Sequence, residues 1–169
     1  SHHSLAYLFS LGEFRRQVQC HREKIRKNFG QDPAVFRHTE LLYDNGLARE
    51  AQDMGFRAVL AEGAAGLLGD RDGNALYRAS LDNGLPLLLR NARLSDDIAF
   101  RFSSRDWPGY PLTAGRYASW ICEIQGPEAL VNLFMDYETF GEHQWSETGI
   151  FTFLEQLPGA LLHCPSCVF

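Results

Sequence analysis

Residues 131–153 read VNLFMDYETFGEHQWSETGIFTF and combine an apolar run, a polar cluster and a helix signal in direct succession. The run at 131–135 is interrupted only by Asn132, which is typical of a buried strand. The polar cluster follows within a dozen positions and consists of Asp136, Glu138, Glu142, His143, Trp145 and Glu147. Enzymes with α/β folds place catalytic groups in this way, at the C-terminal ends of parallel strands. The alternative interpretation is a strand-to-helix connection whose charges are only solvated.

A second segment, AVFRHTELLYDN at residues 34–45, has the same design. A short apolar run at 34–38 is followed by Glu40 and then by a helix signal that begins at Asp44. Because the carboxyl ends of parallel strands meet at one edge of a sheet, we expect Glu40 and Asp136 to face one cleft. Two carboxyl groups are what the cleavage of a glycosidic bond requires. The alternative for Glu40 is that it only caps the helix after it.

The first third of the chain alternates helix and strand signals. Ser10 and Glu13 have the form of a capping box, and the apolar spacing after them predicts a helix that ends at Gly30. A second helix is predicted between strands at 34–38 and 57–61. This order, with short connections, predicts a parallel sheet wrapped by helices.

The middle of the chain is less regular, with strand candidates at 76–79 and 86–90. The sequence DRDGN at 70–74 has the composition of a calcium loop, but its glycine is fourth rather than sixth and no glutamate stands at the twelfth position. It is therefore interpreted as a turn. Thr113 is predicted to cap a helix over 113–124.

Between these elements, the apolar run at 98–102 has the character of a strand. Asp96 and Asp97 precede it. They are predicted either to reach the mouth of the sheet or to pair with Arg101.

Composition indicates one globular domain over residues 1–169. The chain has 45% apolar residues and a net charge of −5, with acidic and basic residues interspersed. No apolar run approaches the roughly 20 residues of a membrane helix, and no basic face suggests nucleic-acid binding. We therefore expect neither a membrane nor a nucleic acid as a partner.

The four cysteines, Cys20, Cys122, Cys164 and Cys167, are not spaced as a disulfide framework. Cys164 and Cys167 have the C-x-x-C form of a redox or zinc half-site, but no second pair exists, and a coincidence is favoured. Thiols without a signal peptide predict a reducing, cytoplasmic location. No spacing of metal ligands is seen, so no metal or cofactor is expected.

FRHTELLYDN and FMDYETFGEHQWSETGIF resemble the third and fourth sequence regions of glycoside hydrolase family 57. This is the family of α-amylases, 4-α-glucanotransferases and branching enzymes, and its amylase-like members are the most similar. LSDDIAFRFS at 94–103 and YPLTAGRYASWI at 110–121 extend the resemblance to nearly the whole chain.

The resemblance implies a fold of the parallel (β/α)7 barrel type. At 169 residues the chain is short for a closed α/β barrel, which needs about 250 residues. We therefore expect an incomplete barrel, truncated at both ends and lacking the N-terminal strand region. The missing remainder of the domain is then its natural partner.

The resemblance also assigns roles. Glu40 takes the position of the nucleophile and Asp136 that of the acid/base, which implies retention of configuration and carboxyl groups roughly 5–5.5 Å apart. The substrate-binding candidates are Glu138, His143, Trp145 and His3. Trp145 has core packing as its alternative. One departure concerns position 37, where the family often has an aromatic residue and this chain has Arg37, with Phe36 beside it.

Two function classes follow. The first is a retaining glycosidase or transglycosylase acting on α-linked glucan or maltooligosaccharide, although the chain alone is expected to be inactive. The second is a catalytically silent glucan-binding or structural piece of such a domain. Sequence does not separate hydrolysis from transfer, because that depends on how water competes with a sugar hydroxyl for the covalent intermediate.

Overall fold

The computed structural model describes residues 4–124, 126 and 129–164. The chain divides into two compact units, and each is described by itself below. The first unit consists of Ser1–Glu62 and Leu76–Leu89, and the second of Gly63–Ala75 and Arg90–Phe169.

Two helices of the first unit begin at side-chain caps. Helix α1 is Leu11–Phe29, and the Ser10 side chain accepts a hydrogen bond from the Glu13 amide. Helix α2 is Asn45–Asp53, and Asp44 accepts from the Leu47 amide. These bonds satisfy amides that have no partner within the helix. The predicted start of each helix is therefore confirmed.

A four-stranded sheet belongs mainly to the first unit. Its strands are β1 (Val35–Arg37), β2 (Ala58–Glu62), β3 (Tyr77–Arg78) and β4 (Pro86–Arg90), in the order β1-β2-β4-β3. The β1–β2 pair is parallel, as predicted, whereas β3 and β4 are antiparallel. The short loop between β3 and β4 explains this difference, since parallel neighbours need a long crossover. In the described residues the sheet is open, and the seven-stranded barrel stays a prediction.

Aromatic side chains form the core of the first unit. Phe36 is buried on β1, and its ring centroid lies 5.9 Å from that of Phe14 and 5.3 Å from that of Phe56. Leu47 of α2 and Val59 of β2 are fully buried in the same unit. Phe14 of α1 thus packs against Phe36 of β1.

The second unit is mainly helical. Its helices are α3 (Ala65–Leu68), α4 (Ala92–Ala99), α5 (Ala114–Cys122) and α6 (Ile150–Leu162). Thr113 caps α5 by accepting from the Arg116 amide, as predicted. Short 3-10 turns lie at Tyr137–Thr139 and Ser146–Thr148.

The core of this unit lies between α4, α5 and α6. Leu94, Ile98 and Phe102, spaced by four residues, pack together with Tyr117 and Phe153. The Tyr117 hydroxyl donates to the Leu94 carbonyl at 2.9 Å, which satisfies a fully buried polar group. Burial and the nearby charge of Asp97 raise the pKa of Tyr117.

The strand expected at 98–102 is wrong, because α4 runs through Ala99. The apolar residues at four-residue spacing form one helix face, and this tertiary packing outweighs the strand preference of the local sequence. Asp97 pairs with Arg101 at 2.7 Å, which confirms the predicted pair. Asp96 instead pairs with Arg90.

The strand expected at 131–135 is also wrong. The only ladder contact among these residues is a parallel bridge between Asn132 and Arg90. A single bridge leaves the segment extended but outside any strand. Asp136 therefore follows an irregular segment, and other contacts must hold it.

Cys122 and Cys164 form a disulfide between the end of α5 and the residues after α6, contrary to the expectation of unpaired thiols. The two residues are 42 positions apart in sequence, but α5 and α6 pack together and bring their Cα atoms to 6.0 Å. That separation is within the range of a disulfide. Cys20 is free and exposed, and Cys167 lies outside the described residues.

Candidate functional site

The backbone just before Asp136 is held from both sides. The Phe134 carbonyl accepts a hydrogen bond from Arg90 Nε at 2.8 Å, and the Phe134 amide donates to Ser95 Oγ at 3.1 Å. The bridge from Arg90 to Asn132 adds a third contact. These contacts take the place of the hydrogen bonds of a strand ladder. They satisfy polar backbone groups of the segment and fix its direction.

Arg90 is the centre of this arrangement. Its side chain is only 12% exposed, and its guanidinium group is paired with Asp96 while it binds the Phe134 carbonyl. Neither Arg90 nor Ser95 stood out in the sequence. The only signal was the unassigned pair of carboxylates at Asp96 and Asp97.

The turn that follows carries the polar cluster. The Thr139 amide donates to the Asp136 carbonyl at 3.1 Å, and the His143 amide donates to the Glu138 carbonyl at 2.9 Å. The turn closes where the Gln144 amide donates to the Thr139 carbonyl at 2.9 Å. Successive hydrogen bonds therefore define the backbone between Asp136 and Gln144.

Gln144 fixes the far end of this turn to α4. Its side chain is 3% exposed, and its Nε2 donates to the Ala99 carbonyl at 3.1 Å. Its Oε1 has no hydrogen-bond partner among the described residues. Sequence reasoning missed Gln144, because a neutral amide between His143 and Trp145 carries no sign of being buried.

The candidate site side chains themselves face solvent. Asp136, Glu138 and His143 are exposed, and Trp145 is 64% exposed. The Trp145 Nε1 donates to the Glu142 carbonyl at 2.6 Å, which holds the indole at the surface. The alternative that Trp145 fills the core is therefore wrong. An exposed indole suits contact with the apolar side of a sugar ring.

Glu40 lies in the first unit, in the turn after β1. Its side chain is exposed, and its amide donates to Nδ1 of the buried His38 at 3.4 Å. The next residue, Leu41, has a φ of 52°, which is uncommon for a residue with a side chain. The cap of α2 is Asp44, so the alternative that Glu40 only caps this helix is wrong.

His38 supports the Glu40 turn in its neutral form. Burial lowers its pKa, and the rings of Tyr7 and Phe14 lie against the imidazole. Since Nδ1 accepts a hydrogen bond from the Glu40 amide, the proton of the neutral ring is assigned to Nε2.

Tyr7 connects this cluster to α2 through a hydrogen bond of 2.6 Å from its hydroxyl to Asp44 Oδ1. Burial and this bond raise the pKa of Tyr7 to about 12. Burial raises the pKa of Asp44 as well, but hydrogen bonds from Tyr7 and from the amides of Leu47 and Gly46 outweigh it and leave that pKa below its ordinary value.

The sequence profile described as Glycosyl hydrolase family 57 matches residues 1–165. The chain belongs to this family. The resemblance carried by residues 34–45 and 131–153 is thereby confirmed.

A relative with a printed name supports the same family. A protein of Methanocaldococcus jannaschii named "Putative alpha-amylase" is 51% identical to this chain over 158 residues. The aligned part is 93% of this chain and 33% of that protein, so the chain spans about a third of the length of this relative.

Two residues named in the sequence analysis remain, Arg37 and His3. Arg37 is exposed on β1, whereas Phe36 points into the core. His3 lies outside the described residues.

In the ranges that the structure describes, no group of three or more His, Cys, Asp or Glu side chains is placed to hold a metal ion. Within the same ranges, no helix is both long and apolar enough to cross a membrane.

Proposed function

We propose that the whole protein is a retaining glycosidase or transglycosylase that acts on α-linked glucan. The observation that carries this proposal is the turn at residues 136–145, which presents Asp136, Glu138, His143 and Trp145 to solvent on a backbone held at both ends. Family membership and the name of the relative support the substrate class.

Asp136 is proposed as the acid/base. In the first step its protonated carboxyl group gives a proton to the departing glycosidic oxygen, and in the second its carboxylate takes a proton from water or from an acceptor sugar. Such a role needs a well-defined position, since small displacements of a catalytic group cost much of its rate effect. The contacts of Phe134 with Arg90 and Ser95 supply that definition next to Asp136.

Glu40 is proposed as the nucleophile that attacks the anomeric carbon and forms the glycosyl-enzyme ester. The mechanism requires its carboxyl group to lie roughly 5–5.5 Å from that of the acid/base. Glu138 and His143 are proposed to hold substrate hydroxyls, and Trp145 to support a pyranose ring. His3 is proposed as a further substrate contact. None of these steps involves a metal or an organic cofactor.

The test uses the whole protein and two nearly isosteric variants. Glu40→Gln is expected to lower kcat on maltooligosaccharide by at least about 10³-fold, since an amide cannot form the ester. Asp136→Asn is expected to lower it by about 10²–10⁴-fold, with a smaller loss on an activated α-glucoside whose leaving group needs little proton assistance. Glu23→Gln and Asp106→Asn remove one exposed carboxylate each and serve as matched controls.

Azide separates the two roles. Added to Asp136→Asn, it should attack the covalent intermediate and give a glycosyl azide of retained configuration. Added to Glu40→Ala, which leaves space for the anion, it should displace the leaving group directly and give the inverted product. Activity of Glu40→Gln close to that of the wild type would remove the nucleophile assignment.

The competing function is a glucan-binding protein without catalysis. It predicts that the wild-type whole protein binds maltooligosaccharide but releases no reducing sugar and forms no transfer product. It also predicts that Glu40→Gln and Asp136→Asn change affinity only. Turnover by the wild type, lost in these two variants and kept in the two controls, decides for the enzyme.

A further inference from the structure

A cavity of about 460 Å³ lies in the second unit, and none of its described lining residues belongs to 136–145. Its size falls within the range of small-molecule sites. Its walls combine basic and aromatic side chains with one carboxylate. The side chains that matter here are Arg93, Asp97, Arg101, Trp107, Arg116 and Trp120.

The cavity has an excess of positive charge. The Asp97 carboxylate is 4% exposed and accepts a hydrogen bond from Arg101 Nε at 2.7 Å, while Arg101 also donates to the Arg93 carbonyl. This pair offsets one of the three guanidinium charges. Asp97 is the only acidic residue among the described residues that line the cavity. Among the described residues of the cavity wall, no second carboxylate offsets the charges of Arg93 and Arg116.

These two guanidinium groups are held over an aromatic ring. The Cζ atoms of Arg93 and Arg116 lie 5.9 Å and 5.3 Å from the ring centroid of Trp120. Arg116 Nη1 also donates to the Gly109 carbonyl at 2.9 Å. Cation–π contacts orient the planar groups without using their N–H donors. Most of the five donors of each guanidinium are thus available to an acceptor.

The second indole forms a rigid apolar wall. The rings of Trp107 and Trp120 pack edge to face, with centroids 6.1 Å apart. Trp107 lies so close to the backbone of Gly109 that a Cβ atom there would be 2.4 Å from the ring. Both contacts limit the movement of the Trp107 ring.

The cavity-lining residues of α4 lie on the face opposite to Ser95, which holds the segment just before residues 136–145. Arg93 and Asp97 are four residues apart and share one face, whereas Ser95, whose Oγ accepts from the Phe134 amide, lies on the other. A shift of two positions rotates a side chain by roughly 200° around the helix axis. A glucan bound at residues 136–145 therefore does not account for the two arginines.

We propose that this cavity binds the phosphate group of a small ligand, with Arg93 and Arg116 as donors and Trp107 as the wall for an attached sugar ring. Guanidinium groups match phosphate oxygens in two-pronged hydrogen bonds, whereas a neutral glucan offers no charge to such a pair. The cavity volume of about 460 Å³ is many times the roughly 30 Å³ of one water molecule, so the cavity has space for more than a lone phosphate group. This site is independent of the proposed catalytic reaction.

The test is calorimetric titration of the whole protein with inorganic phosphate and, separately, with glucose 6-phosphate, at constant ionic strength in chloride. Arg93→Gln and Arg116→Gln are each expected to weaken binding by about tenfold or more, because each removes charged hydrogen bonds. Arg105→Gln removes an exposed arginine that does not line the cavity and should bind as the wild type does. Arg93→Lys and Arg116→Lys keep the charge and the fold but lose the planar donor pair, so they should also bind more weakly.

The two ligands identify the source of the phosphate. Tighter binding of glucose 6-phosphate supports a sugar phosphate held against Trp107, whereas equal binding supports free phosphate as the ligand of the two arginines. Absence of binding for both at about 1 mM overturns the proposal. An equal loss in Arg105→Gln also overturns it, because general surface charge would then explain the binding.

Discussion

Glu40 depends on its neighbours for its position. Its amide is bound to the buried imidazole of His38, and Leu41 after it has a φ of 52°. For a residue with a side chain, this backbone conformation costs about 1–3 kcal/mol of stability, and it persists only where the surrounding structure holds it. Gln144 has a comparable part in the second unit, where its buried amide ties residues 136–145 to the end of α4.

His38 makes stability depend on pH. Burial holds its pKa below the ordinary value of 6.5, so the folded protein keeps the ring neutral at a pH where the unfolded chain binds a proton. The contribution of His38 is complete above pH 6.5 and is lost as the pH falls toward the folded-state pKa. We therefore expect the free energy of unfolding to decrease on acidification, by at most about 1.4 kcal/mol per pH unit for this one proton.

The measurement is urea unfolding of the wild type and of His38→Asn between neutral and mildly acidic pH. The asparagine oxygen can accept from the Glu40 amide but does not titrate, so its curve should be flatter. His21 also has its pKa lowered by burial, but it titrates equally in both proteins and cancels in the difference. Parallel curves for the two proteins would contradict this role of His38.

At the scale of elements, the helices are defined at their ends by polar side chains and along their length by the faces that they bury. Helix α4 shows both properties. Asn91 accepts from the Leu94 amide at its start, and its buried apolar residues Leu94 and Ile98 pack with residues of α5 and α6. Its Ser95 and Ala99 bind Phe134 and Gln144, and its Arg93 and Asp97 line the cavity described above. One short helix thus supports two different surfaces of the second unit.

Asp44 is expected to be the main cap of α2. Asp44→Ala removes the hydrogen bond to the Leu47 amide and the acceptor of the Tyr7 hydroxyl, and should lower the free energy of unfolding by about 1–2 kcal/mol. Asp44→Asn retains an acceptor and should cost less. Tyr7→Phe removes only the hydroxyl, with an expected loss of about 1 kcal/mol.

These values are obtained from urea titration at pH 7. Asp53→Ala is the matched control, because it removes an exposed aspartate at the last position of the same helix. A carboxylate near the C-terminus of a helix interacts unfavourably with the helix dipole, so this change should be neutral or slightly stabilising. An equal loss in Asp44→Ala and Asp53→Ala would argue against a specific cap.

At the scale of the whole molecule, several large apolar side chains of the described residues are exposed. Phe9 is 85% exposed, Tyr137 is 94% exposed, and Phe29, Phe100 and Leu162 are each about 70% exposed. Strand β1 is at one end of the sheet, so one side of its backbone has no strand neighbour among the described residues. Exposed apolar groups and an uncovered strand edge both promote association.

We expect the isolated 169-residue chain to self-associate as its concentration rises, with sedimentation velocity as the measurement. Val35→Lys places a charge at the exposed edge strand and should reduce association by several-fold. Leu8→Lys adds the same charge at an exposed apolar position outside the sheet and should reduce it less. A cooperative melt of a monomer at all concentrations would show that these surfaces do not associate.

The features that could be predicted from the sequence were those that depend on near neighbours. The caps at Ser10, Asp44 and Thr113 each bind an amide three residues ahead, so a few adjacent residues determine them. The site motifs around Glu40 and Asp136 were also recognisable, because their residue types follow from the chemistry that they are proposed to perform.

Other features required the tertiary structure because they join residues far apart in the chain. The bond from Arg90 to Phe134 spans 44 positions, the bond from Gln144 to Ala99 spans 45, and the disulfide from Cys122 spans 42. Local preference gave the wrong structure at 98–102 and 131–135 for the same reason. There, packing on α5 and α6 and side-chain contacts to the backbone outweigh the small energies of strand propensity.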